Sequence, residues 1–218
     1  MAQTLVVIDY GSGNLRSVSR ALQRVALDAG LSCQITVTGD PAAVRKADRI
    51  LLPGVGAFGD CRAGIDAIPD MMAAIEQVAL HDARPFLGIC VGMQLLASRG
   101  LEHGEHQGFG WIPGTVEAIR PQSPDLKIPH MGWNALELTE AGAAHPLFSG
   151  IASGDHAYFV HSYHLALQSP EACLARVHHG MALTAAVARG NVAGVQFHPE
   201  KSQSTGLRFL RNFLEWQP

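Results

Sequence analysis

Two hydrophobic rhythms divide the chain near Gly108. Before it, short unbroken apolar runs alternate with stretches whose apolar residues recur at helical spacing; after it, brief extended segments crowd together between glycines and prolines. "TLVVIDY" predicts a first strand, "NLRSVSRALQRVALDAG" a helix and "CQITVT" a second strand. "RILLPG" and "PFLGIC" do not alternate apolar with polar residues, as expected of strands covered on both faces, and "DMMAAIEQVALHD" supplies the helix between them. This βαβ punctuation predicts a parallel sheet.

The second half reads differently. "GTVEAIR", "ALELT", "HAYFVHSYHLAL", "CLARVHH" and "LTAAVARGNVAGVQFH" predict antiparallel strands added to or stacked on the same core. "STGLRFLRNFLEW" predicts a closing amphipathic helix with Leu207, Leu210, Phe213 and Leu214 on its apolar face. The expected fold class is therefore α/β: a mostly parallel central sheet flanked by helices, with an antiparallel β extension in the C-terminal half. With 218 residues, 47% hydrophobic and 16% charged, the chain suits one domain over 1–218.

Charge and cysteine usage narrow the partners. The formal net charge of −3 and the lack of any basic, aromatic-interleaved segment argue against nucleic acid. No apolar run reaches the roughly 18 residues of a membrane span, and Leu5 to Ile8 suit a first strand better than a leader. Cys33, Cys61, Cys90 and Cys173 stand singly without a CxxC pair, which suits a reducing, cytoplasmic setting. His103 and His106 in "LEHGEHQG" lack the HExxH order and read as a polar loop, so no metal is expected. "DYGSGN" carries Gly11 and Gly13 but has Arg16 where a dinucleotide fingerprint needs a third glycine, so no cofactor is expected either.

The chemistry concentrates in "GICVG", Gly88 to Gly92, which has the G-x-nucleophile-x-G form of an elbow between a strand and a helix. Such a turn lifts Cys90 from the sheet edge, and a helix N-terminus favours its thiolate. On the elbow alone, a buried core cysteine fits equally well. The balance shifts with "GVQFHPEK", whose His198 and Glu200 stand two apart on an extended chain and so share a face, letting the carboxylate orient the imidazole toward Cys90. "PGVGAFGD" adds a glycine-flanked Val55 peptide, beside the elbow in any simple parallel order, able to donate to a developing oxyanion.

With elbow, HPE and PGVGAFGD in this order, the chain resembles the triad (class I) glutamine amidotransferases over its whole length, which implies a flavodoxin-like sheet. "DYGSGNLRSV", "PHMGWN", "YFVHSYH" and "HPEKSQSTGLRFLRNF" are similar to the glutaminase subunits of imidazole glycerol phosphate synthase in particular. The resemblance implies Cys90 as nucleophile, His198 as base and then acid, and Glu200 as its orienter, with the amides of Val55 and Val91 as oxyanion hole. It implies a pocket for L-glutamine from Gly56, Gln94, Glu102, His161, Ser162 and Tyr163. It further implies a heterodimer with a (β/α)8 cyclase subunit that receives ammonia through a tunnel, met by Asn14, Trp133 and Lys201. The Gly-Val-Gly turn predicts weak hydrolysis by the chain alone, with the Val55 amide turned away until the cyclase and its ligand bias the loop. A stand-alone thiol amidase, the glutaminase subunit of another amidotransferase and a redox-sensing thiol are the rival readings; the first is separated by partner dependence, the last by the presence of His198 and Glu200.

Overall fold

The computed structural model describes residues 2–122 and 126–218. Its first half places β1 (Gln3–Ile8), α1 (Leu15–Asp28), β2 (Cys33–Thr38), α2 (Pro41–Lys46), β3 (Arg49–Gly54), α3 (Phe58–Asp66), α4 (Met71–Glu76) and β4 (Phe86–Cys90) in succession. The expected helix before β4 is present, its last turn, Gln77–His81, widening to π geometry. Two helices of this half were not expected. Asp40 starts α2 by accepting from the Ala42 amide at 2.9 Å, with Pro41 pre-set at the first helical position. The other, α3, follows the glycine turn after β3 and is too short to declare its spacing.

Beyond β4 come α5 (Val91–Gln94), β5 (Arg99–Gly100), β6 (His106–Gln107), β7 (Gly114–Ala118), β8 (His130–Ala135), β9 (Glu137–Leu138), α6 (Glu140–Ala144), β10 (His156–His161), β11 (Tyr163–Leu167), β12 (Cys173–His178), β13 (Ala182–Arg189), β14 (Val192–Val195) and α7 (Gln203–Glu215). The main sheet has the order β2-β1-β3-β4-β14-β13-β12-β9. Its first five strands are parallel, the flavodoxin-like order with β14 as fifth strand, and the last three are antiparallel. The extension expected after Gly108 is thus both added and stacked: β13, β12 and β9 prolong the sheet, while β11-β7-β5-β6 and β10-β8 form separate small sheets.

β3 and β4 are buried at every position, as strands under helices on both faces must be. The expected apolar face of α7 needs one correction. Leu207 is exposed, and the inward face is Gly206, Phe209, Leu210, Phe213 and Leu214. Gly206 leads that face because a Cβ there would stand 1.9 Å from the Pro199 carbonyl oxygen, so α7 presses directly on the loop after β14. Among the described residues, no helix is long and apolar enough to cross a membrane.

Candidate active site

The loops after β1, β3, β4 and β14 meet at the carboxyl ends of the parallel strands, where open α/β sheets bind ligands. Cys90 ends β4 with φ 56° and ψ −113°, a conformation that costs a non-glycine residue about 1–3 kcal/mol and throws its side chain off the sheet. The neighbouring glycines make the turn possible. A Cβ on Gly92 would lie 1.9 Å from the Leu52 carbonyl oxygen, one on Gly88 2.4 Å from that of Gly92, and one on Gly54 2.7 Å from the Gly92 nitrogen. α5 is a single turn of four residues, so the expected helix dipole reduces to a few unpaired N–H groups, that of Val91 first among them.

Behind the thiol, His198 donates from Nδ1 to Glu200 Oε1 at 2.9 Å, and the carboxylate side chain is fully buried. The pair forms for a different reason from the one expected: β14 ends at Val195, and Pro199–Lys201 is a 3-10 turn that folds Glu200 back under the ring. Burial opposes the imidazolium, but the Cys90 sulfur and the Glu200 carboxylate outweigh it and push the His198 pKa up to about 9. Its buried Nε2 makes no hydrogen bond in this resting geometry. Asn14, assigned to the partner's side, turns its amide inward and donates to Glu200 Oε1 at 3.2 Å.

A cavity of about 330 Å³ opens in front of this pair, lined by Val55, Gly56, Cys90, Val91, Gln94, Glu102, His161, Ser162, Tyr163 and His198, with Pro129, Val160 and Lys201 at its margin. Every residue assigned above to oxyanion hole or glutamine pocket lines it. Glu102 also accepts from the Phe58 amide at 2.8 Å, so the start of α3 holds its carboxylate in place. Trp133 and Lys201 are exposed on the rim, where both pack on Tyr158, the indole edge-on at 5.9 Å and the ammonium 5.5 Å over the ring. Among the described residues no group of three His, Cys, Asp or Glu side chains converges to hold a metal.

The loop facing the elbow is held differently. The Val55 amide donates to Ser12 Oγ at 3.1 Å, and that hydroxyl donates to the Val55 carbonyl at 2.6 Å. The Cys61 thiol donates to the same carbonyl at 3.3 Å. One residue's N–H and C=O are thus both engaged by neighbouring side chains, neither of which the sequence had singled out.

Two further groups escaped the sequence. Gln196, fully buried in the quoted "GVQFHPE", donates from Nε2 to Cys90 Sγ at 3.6 Å. His130 lies at 2.9 Å from His161, is stacked by His179 and is touched by the Asn134 amide at 3.1 Å. A polar residue inside an otherwise apolar strand run was the available signal for Gln196; for His130 only its place in "PHMGWN" was.

Comparison with known proteins agrees with this geometry. The model of the family described as glutamine amidotransferase class-I matches residues 6–216. The imidazole glycerol phosphate synthase subunit HisH of Rhodospirillum rubrum is 56% identical, the alignment covering 98% of this chain and 99% of that protein. Its counterpart from Mesorhizobium japonicum is 55% identical over the same shares. Among solved structures, one described as a glutamine amidotransferase superposes with a TM-score of 0.70 at 20% identity, covering 96% of this chain and 97% of the other. The glutaminase domain of Trypanosoma brucei CTPS with bound acivicin superposes at 0.65 and 15% identity, covering 100% and 96%. These last two speak for the fold, and the long, close relatives for the family. The chain belongs to the class-I glutamine amidotransferases, among the HisH-type subunits of imidazole glycerol phosphate synthase.

Proposed function

We propose that residues 1–218 act as one glutamine amidotransferase domain, hydrolysing the side-chain amide of L-glutamine and passing the ammonia to a cyclase subunit in histidine biosynthesis. The observation that carries this reading is Cys90 on its strained elbow, facing the cavity, with the buried His198–Glu200 pair behind it. The Cys90 thiolate adds to the amide carbon, and the negative oxygen is taken by the Val91 N–H and, once its loop turns, that of Val55. His198, protonated at neutral pH by its two neighbours, gives a proton to the departing nitrogen, leaving a γ-glutamyl thioester. The ring then takes a proton from water, whose oxygen displaces the sulfur and releases glutamate.

Glu200 is well placed as orienter, since His198 Nδ1–H has no other acceptor. Gln94, Glu102 and the segment His161 to Tyr163 are assigned to the glutamine itself. The cyclase is assigned to the rim, where Val55, Ile128, Met131 and Trp133 expose apolar side chains beside Lys201. A reducing, cytoplasmic setting accords with four free cysteines. Replacing Cys90 by Ala is expected to abolish glutamine-dependent synthesis in the assembled enzyme while synthesis from ammonium salts continues. Survival of the glutamine-dependent reaction refutes the assignment.

A further inference from the structure

Gln196 follows β14 and has no contact with solvent, yet a buried carboxamide is tolerated only when its two ends are satisfied by groups of opposite character. Those partners fix its orientation. The Tyr163 carbonyl can only accept, so the Gln94 atom 3.0 Å from it is nitrogen. That same nitrogen lies 3.0 Å from Gln196, whose facing atom is therefore the oxygen. The other end of Gln196, at 3.6 Å from Cys90 Sγ, is then the N–H donor.

A second arm fixes the anchor. The Tyr163 carbonyl also accepts from His161 Nδ1 at 2.9 Å, which leaves Nε2 of that neutral ring as an acceptor. His130 must then donate from Nδ1 at 2.9 Å, and its Nε2 accepts from the Asn134 amide at 3.1 Å. Each group in the two arms has one possible role. The carbonyl at their junction is held from both sides, which leaves the Gln196 amide pointing at Cys90.

Resting on the amidotransferase reading above, we propose that Gln196 is a thiolate-stabilising residue of the reaction. Its N–H, aimed by Gln94 and the Tyr163 carbonyl, bonds the anionic sulfur of Cys90 and holds it in the attacking position. A hydrogen bond strengthens when its acceptor carries charge, so this contact favours thiolate over thiol and does not depend on substrate. No covalent step is added to the hydrolysis. Besides Gln196, the titratable side chains near Cys90 are His198, Tyr10 and Cys61, with Glu102 and Lys201 lining the same cavity, and all of them persist when Gln196 is replaced.

The test uses the enzyme assembled with its cyclase and the substitution Gln196→Met, which keeps length but removes both polar ends. Glutamine-dependent kcat is expected to fall about 10- to 100-fold, the loss of one charge-assisted bond, with KM within about twofold and ammonium-dependent synthesis unchanged. Alkylation of Cys90 by iodoacetamide, read on its own peptide by mass spectrometry, is expected to shift its pH profile upward. Superimposable profiles for parent and variant overturn the proposal. If the variant does not assemble, the side-chain amide resonances of Gln196 in the unaltered chain decide: they should titrate with the same midpoint as Cys90 alkylation, and indifference to it overturns the proposal. Both alkylation and resonance readouts need no glutamine, so they stand even where Cys90→Ala refutes the amidotransferase reading.

Discussion

Two turns face each other at the carboxyl ends of β3 and β4, and they are built to opposite specifications. The elbow at Cys90 is buried except where it faces the cavity, and a Cβ on Gly54, Gly88 or Gly92 would come within 3 Å of neighbouring backbone; the His198–Glu200 pair stands behind the sulfur and the Gln196 amide beside it. The turn at Val55 is 43% exposed and flanked by glycine, and its peptide is held by the hydroxyl of Ser12 and the thiol of Cys61. The proposed nucleophile and base thus sit on a fixed frame, while the Val55 N–H, the proposed oxyanion donor, is engaged by Ser12. The difference teaches where each is adjustable: the elbow resists change because backbone atoms crowd it, whereas the opposite turn is held by two or three weak bonds that a bound partner can replace.

The comparison can be broken most completely at Gly92. In Gly92→Ala the added Cβ meets the Leu52 carbonyl, so β3 and β4 must part; glutaminase activity is expected to fall more than about a thousandfold, with a lower melting temperature by calorimetry. Next is Glu200→Gln, which keeps the shape of the buried side chain but removes the charge that supports the imidazolium. Glutamine-dependent turnover is expected to drop about 10²- to 10⁴-fold, with the upper limb of the pH–rate profile moving to lower pH.

Ser12→Ala acts on the other turn and in the other direction. Removing the hydroxyl frees the Val55 amide, and glutamate release by the chain without cyclase is expected to rise about tenfold, the worth of one hydrogen bond; a fall or no change would mean that Ser12 does not restrain the loop. The smallest effect concerns the support behind the enclosed side. Burial holds His130 at about 4 and His161 at about 3, so both stay neutral when folded, whereas unfolded chains take up their protons near pH 6.5. The unfolded state binds more protons below that pH. Stability is therefore expected to fall between pH 6.5 and 4 by up to about 1.4 kcal/mol per pH unit for each histidine, and His130→Gln should flatten that slope in urea titrations.

What could be read from the residues divides along the same line. Strand and helix alternation, the elbow and the HPE stretch declare themselves because each is a local pattern, and the parallel direction of β1 to β4, though not their order, follows from it. Leu207 was misplaced because helical spacing fits two overlapping faces of α7, and only the close approach of Pro199 to Gly206 chooses between them. The reach of Glu200 to His198 was expected for the wrong reason, since a proline turn and an extended strand can bring the same two residues together. The partners of Ser12 and Gln196 lie many residues away, and although Cys61 stands close to Val55 in the chain, nothing in a hydroxyl, thiol or amide says which carbonyl or sulfur it will meet; only Gln196 left a trace, as a polar residue in an apolar run.

The position of β14 also has a meaning for how the molecule comes into being. It lies between β4 and β13 in the middle of the sheet, yet β4 ends at Cys90 and β14 does not begin until Val192. On a ribosome the first four strands emerge with the inner edge of β4 unpaired, and everything from α5 to β13 must follow before that edge is closed. The strand that closes it also leads directly into Gln196 and His198. A truncated or half-made chain therefore carries Cys90 without His198, and completing the sheet and bringing these two side chains together are one event.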